Sequence, residues 1–103
     1  MATKENEKLT RWDAADYIED AEDARLYLNA AIEDDDGDGR MVRRALAAVV
    51  RAQGVSKLMR EAGLSRRTFY ESLGENGNPS FVAVVKITHA LGLRLRLESI
   101  KAS

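Results

Sequence analysis

Apolar residues recur at helical spacing along most of the chain and give way to strict alternation only near its C-terminus. Residues 1–9 lack any such pattern. Thr10 stands three residues before Asp13, a capping box with Asp in the usual Glu position, and a short amphipathic helix is predicted through Trp12, Ala15 and Ile18. A second helix is predicted from about Asp20 to Asp34, where Ala24, Leu28, Ala31 and Ile32 follow i, i+4, i+7, i+8 spacing. The DDDGDG run at 34–39 breaks that pattern and reads as a loop. It divides an N-terminal arm, residues 1–39, from a body, residues 40–103.

In the body the pattern is firmer. Residues 41–52 form a helix with Leu46, Val49 and Val50 turned inward, stopping before Gly54. Residues 55–62 form another, with Ser56 placed to cap it and Leu58 and Met59 among its apolar positions; Gly63 then suits the left-handed conformation that ends a helix. Ser65 can cap a third helix, from Arg66 to about Leu73, that buries Phe69 and Leu73. Residues 74–78 are a turn, and Pro79 suits its end or the opening of the next helix. That helix runs from Ser80 to Leu91, with Phe81, Val84, Val85, Thr88 and Leu91 in helical spacing, and Gly92 stops it. Residues 93–98, LRLRLE, alternate apolar and charged with a period of two, the pattern of a half-buried strand. A lone strand needs a partner, and no second strand is evident in the chain. Pairing with the same strand of another copy predicts a two-fold symmetric dimer with Leu93, Leu95 and Leu97 at its interface. The expected fold is therefore mainly α: a helix-turn-helix bundle with an acidic helical N-terminal arm and a C-terminal β-strand paired across a dimer.

Composition narrows the chemistry. A chain of 103 residues supplies one small core. It has no cysteine, which excludes disulfides and thiolate chemistry, and a single histidine, His89, which leaves no histidine-based metal site or triad. His89 itself is expected to face solvent. The first ten residues are polar and the longest apolar run, Ala45 to Val50, is far too short for a membrane span, so a cytoplasmic protein is expected. Asp34, Asp36 and Asp38 imitate the start of a calcium-binding loop, but Ala45 occupies the position that needs a bidentate glutamate. No catalytic residues, metal or cofactor are expected.

Charge changes the picture more. Residues 1–39 carry a net −9, residues 40–73 a net +6 and residues 74–103 a net +2. Such asymmetry points to two partners, one basic and one anionic. The arm is not a plain solubility tail, because Trp12, Tyr17, Ile18, Tyr27, Leu28 and Ile32 stand at helical spacing within it. These residues either pack on the body or meet a partner, and one face can serve each.

The anionic partner is suggested by the helix, Gly63 turn and helix, with arginines opening the second helix. Two short helices at a steep angle can place the second in the major groove of DNA. With Phe69 and Leu73 as anchors, Arg66, Arg67, Tyr70 and Glu71 are left to point outward. Arginine can bind guanine O6 and N7 in a bidentate way. Ser56, Lys57, Ser65, Asn78 and Ser80 fall at helix starts and turns, where they can meet phosphates, and Thr68 joins them in the first turn of the arginine-led helix. Set against this, two short helices joined by glycine occur in many helical domains.

Residues 40–98 also resemble the Xre/Cro-type (lambda-repressor-like) helix-turn-helix family, and within it the HigA-like addiction-module antidote branch. The residues that carry the resemblance are Gly63-Leu64-Ser65-Arg66, Phe69-Tyr70, Leu73, Gly77-Asn78-Pro79-Ser80-Phe81 and Ala90-Leu91-Gly92-Leu93. In the arm, residues 12–18 (WDAADYI) followed by Tyr27-Leu28 are similar to the N-terminal pattern of that branch. Two departures stand out: Phe69 and Leu73 are four apart, where Xre proteins often show a shorter spacing, and residues 66–70 look closer to Fis-type recognition helices. The resemblance implies an antitoxin of a type II toxin-antitoxin module. It would neutralise a small basic RelE/HigB-like ribonuclease toxin and repress its own operon as a dimer on operator DNA. Trp12, Asp13, Asp16, Tyr17, Asp20 and Tyr27 are then the candidate toxin-contacting residues. The alternative is a free-standing or phage-type dimeric transcriptional regulator with no toxin partner.

Overall fold

The computed structural model describes residues 14–74 and 76–101 of the chain. Among them a 3-10 turn, Ala14–Tyr17, precedes five α-helices: α1, Ala21–Asp34; α2, Arg40–Gln53; α3, Val55–Ala62; α4, Arg66–Leu73; and α5, Phe81–Ala90. The predicted helices at 20–34, 41–52, 55–62, 66–73 and 80–91 all form, with ends within a residue or so of expectation. Thr10, Trp12 and Asp13, which open the short helix predicted before them, lie outside the described residues; the described part of that segment is the 3-10 turn.

Helix α2 is the centre of the packing. Helix α1, the 3-10 turn, α3 and α4 all pack against it, and α5 packs on α3. These contacts explain why α2 buries Ala45, Leu46, Ala48, Val49 and Val50 rather than a narrow stripe. One apolar cluster runs through every element: Ile18 beside the turn; Ala24, Leu28 and Ala31 of α1; Leu46, Val49 and Val50 of α2; Leu58 and Met59 of α3; Phe69 and Leu73 of α4; and Ile87 and Leu91 from α5 and its end. Small residues, Ala24 and Ala31 from α1 and Ala45 from α2, take their place in this cluster beside the larger side chains. Val49, Val50 and Ile87 are the largest side chains to be fully enclosed, and complete burial of such a side chain contributes about 1.5–3 kcal/mol. The acidic arm therefore helps to build the core through its inner face. Taking away residues 1–39 would strip Ile18, Ala24, Leu28 and Ala31 from the core rather than leave a finished body behind.

Glycine closes two of the helices in the same way. Gly63 has φ 71° and Gly92 has φ 84°, values that L side chains rarely adopt. Gly63 N donates to Arg60 O (3.2 Å) and Leu64 N to Met59 O (3.0 Å); Gly92 N donates to His89 O (2.9 Å) and Leu93 N to Thr88 O (2.9 Å). Both are Schellman closures, and in both the residue after glycine, Leu64 or Leu93, turns back onto the core.

Three expectations are corrected. The C-terminal β-strand is absent: residues 93–99 carry no strand, because no other extended segment among the described residues offers a ladder to them. Leu93 packs against the core, while Leu95 is 43% and Leu97 97% exposed. Phe81 is not a core residue, being 73% exposed; α5 buries Ala83, Ile87 and Thr88 instead, with Leu91 just beyond its end. Residues 81–85 are apolar on every side, so only the packing on α3 could set which face turns inward. Ser56 does not cap α3. The single residue Gly54 separates α2 from α3 and takes the N-cap position, which leaves Ser56 inside the first turn.

Candidate functional site

The arginine-led helix stands on a rigid corner. Helices α3 and α4 are joined by residues 63–65, and the Ser65 hydroxyl accepts a hydrogen bond from Thr68 N (3.0 Å) and donates one to Thr68 Oγ1 (2.9 Å). Ser65 and Thr68, both candidate DNA contacts, are thereby engaged in the cap. Phe69, Ser72 and Leu73 are buried, which turns Arg66, Arg67, Tyr70 and Glu71 to the outside as the spacing predicted. The Tyr70 ring meets the Phe69 ring edge-on, with centroids 5.2 Å apart and planes at 81°. This contact steers the exposed tyrosine from a buried anchor. Arg67 Nε lies 3.0 Å from Glu71 Oε2.

The other basic-side candidates fall at neighbouring helix starts. Ser56 and Lys57 are exposed in the first turn of α3. Asn78 is exposed, and its N–H donates to Glu71 O (3.1 Å), which ties the loop after α4 to that helix. Ser80 is the N-cap of α5 and accepts from Ala83 N (3.0 Å). The same loop is fastened to α2, since Arg43 Nη1 donates to Gly74 O (2.6 Å). Around that contact lies an open cleft lined by Arg40, Arg43, Arg44, Asn76, Asn78 and Pro79. Sequence reading missed these three arginines as part of a site, because they open α2, more than thirty residues before the loop they face.

The acidic side is equally ordered. Asp20 caps α1 by accepting from Asp23 N (2.9 Å), and the Asp23 carboxylate accepts from Glu19 N (2.9 Å). Glu22 and Arg25 pair at 2.6 Å; the guanidinium hydrogen bond holds the Glu22 carboxyl below its usual range and raises Arg25. The loop that imitates a calcium site does something else. Asp35 accepts from Gly37 N (2.7 Å), Gly39 N (2.9 Å) and Met41 N (3.0 Å), so its carboxylate caps the start of α2 from six residues upstream. Those backbone donors, Gly39 first and Gly37 second, hold the Asp35 carboxyl below the ordinary aspartate range.

Of the arm residues expected to meet a partner, Trp12 and Asp13 lie outside the described residues. Asp16 is exposed, Tyr17 is 58% exposed and Asp20 is exposed at its cap, whereas Tyr27 is half-buried against the core. Leu26, 54% exposed, was missed, and Ile32, which the spacing left open between body and partner, is 53% exposed. Leu26 was findable, because it falls on the far side of the helix from Ala24, Leu28 and Ala31. Ile32 reads from spacing as part of the inner face and lands at its edge.

Residues 8–99 match the protein family described as "Probable addiction module antidote protein". The chain belongs to this antidote family. A relative in Haemophilus influenzae (strain ATCC 51907 / DSM 11121 / KW20 / Rd), described only as "Uncharacterized protein", is 34% identical over 92 residues, which cover 89% of this chain and 93% of the relative. No solved structure matches the chain significantly. Membership of the addiction-module antidotes points to a regulatory role, with a toxin as partner in general terms. No helix among the described residues of this antidote is long and apolar enough to cross a membrane.

Proposed function

We propose that this antidote is a type II antitoxin that neutralises a small basic ribonuclease toxin of the RelE/HigB kind and represses its own operon by binding DNA through α3 and α4. The observation that carries the reading is the separation of charge and contact over one small core. Arg66, Arg67 and Tyr70 project from α4, with Lys57 and Ser56 at the start of α3 and Asn78 and Ser80 at the start of α5. The described part of the arm, residues 14–39, which packs on α2, carries ten acidic residues against Arg25 alone. There Tyr17, Leu26 and Ile32 stand exposed among carboxylates, apolar anchors rimmed by charge of the kind a cationic protein surface would meet. Arg66 and Arg67 would read guanine, while Lys57 and the helix starts would hold phosphates.

Repression by a dimer is part of the same proposal. Leu95 and Leu97 present apolar surface on a segment with no ladder partner within the described residues, and a second copy would cover them. Two α4 helices would then enter successive major grooves, with half-sites about 10 base pairs apart or a multiple of that spacing.

The test is coexpression of the tagged chain with the small gene product encoded beside it, followed by copurification, growth rescue and DNA binding to the shared upstream region. A tight complex with rescued growth is expected. No complex and no toxicity would leave a free-standing regulator. For the DNA half, Arg67→Ala is expected to cost about 1–3 kcal/mol on the operator and to relax preference at one base position. Equal losses on operator and random duplex would reduce Arg67 to a phosphate contact.

A further inference from the structure

Arg67 and Glu71 stand one turn apart on the outward face of α4, joined through Arg67 Nε and Glu71 Oε2 at 3.0 Å. Their side chains are 86% and 64% exposed, and a pair so open to water adds little to stability. Its consequence is geometric. A guanidinium can offer guanine either its Nε edge or its terminal pair of Nη atoms, and the two approaches place the arginine differently against the base. A carboxylate already holding Nε removes the first option and leaves the Nη pair with solvent. Arg66 has no such partner one turn on, where Tyr70 stands. The two arginines that open α4 are therefore not equivalent, although sequence alone treats them alike.

We infer that Glu71 is a positioning residue for base recognition: it holds Arg67 by Nε so that the terminal Nη pair is presented to guanine O6 and N7 in the major groove. This rests on the DNA-binding reading of α4. Glu71 also sets a negative charge on a surface that must approach phosphates, which weakens binding to every duplex alike. The two effects act together. Glu71 sharpens the preference for guanine opposite Arg67 while lowering affinity for unrelated DNA, so it raises the ratio of specific to non-specific binding.

The test uses the full chain and a randomised duplex library, from which the wild-type protein selects a preferred sequence. Affinities of wild type, Arg67→Ala, Glu71→Gln and Glu71→Asp are then measured on the selected duplex, on single guanine-to-adenine variants of it, and on a scrambled duplex. Wild type is expected to prefer guanine at one position per half-site, and Arg67→Ala to erase that preference. Glu71→Gln is expected to bind the scrambled duplex as well as or better than wild type, while its guanine-over-adenine ratio falls roughly tenfold. Glu71→Asp keeps the charge but shortens the reach, so its ratio should fall without the gain on scrambled DNA. Unchanged melting temperatures show that the fold is intact. A ratio untouched by Glu71→Gln, or a selected motif with no guanine that depends on Arg67, overturns the inference and leaves the DNA-binding reading standing. Failure of the wild-type chain to enrich any sequence overturns both.

Discussion

Asp35 shows how one side chain can fix the junction of two segments. Its carboxylate gathers three backbone N–H groups across a loop whose composition suggested metal binding, and it thereby starts α2 where Gly39 offers no side-chain cap. Asp20, Ser65 and Ser80 perform the same task for α1, α4 and α5 within their own first turns. Ser65 was legible as a cap from its place just before an amphipathic run. Asp35 was not, because its donors lie two, four and six residues downstream and meet it only once the loop has curled. Its lowered pKa sets the direction of a pH effect. A carboxyl that ionises more readily in the folded state contributes stability above the ordinary aspartate range and loses it as pH falls through the lowered folded value. Asp35→Asn is therefore expected to melt below wild type at pH 7, and thermal melts of the two should converge as pH is taken down towards 2. Parallel curves across that range would show the charge to be irrelevant.

At the scale of the element, α1 carries two different jobs on two faces. Ala24, Leu28 and Ala31 belong to the core, and Leu28→Ala is expected to destabilise the protein by about 2–5 kcal/mol in denaturant titration. Leu26→Asp, on the exposed side, should leave stability within about 0.5 kcal/mol of wild type and weaken the complex with the toxin. A toxin complex unaffected by Leu26→Asp would move the contact away from this face. The position of α1 was readable from periodicity, as was that of every helix after it. Which face of a helix turns inward was readable only where polar residues marked the other side. Helix α4 met that condition, with Arg66, Arg67, Tyr70 and Glu71 opposite Phe69 and Leu73. The opening of α5 did not, since residues 81–85 are all apolar and the polar Lys86 and His89 come only later, and Phe81 was misplaced for that reason.

For the whole molecule, the division of charge between residues 1–39 and residues 40–73 does not mark a division of the core. Both segments contribute to one core around α2, the acidic one through the 3-10 turn and α1 and the basic one through α3 and α4. Deletion of the arm would confuse loss of a partner site with loss of folding, so point changes on exposed positions are the sound probe. The dimer proposed above makes a prediction of the same kind. Sedimentation should find wild type paired at micromolar concentration and Leu97→Glu as a monomer with an unchanged melting temperature, because Leu97 is 97% exposed in the single chain. A wild-type monomer would leave the exposed leucines of residues 93–99 without the partner assigned to them.

The sequence by itself determined what depends on neighbours a few residues apart: helix spans, caps at Ser65, closures at Gly63 and Gly92, the outward arginines of α4, and the segregation of charge. Tertiary structure decided what depends on residues far apart in the chain. It turned Phe81 outward because the opening of α5, residues 81–85, has no polar residue to mark a face, brought Arg43 to the loop after α4, and drew the arm into the core. It left residues 93–99 without a strand, since alternation of leucine and arginine specifies a face, but only a second backbone at hydrogen-bonding distance makes a ladder.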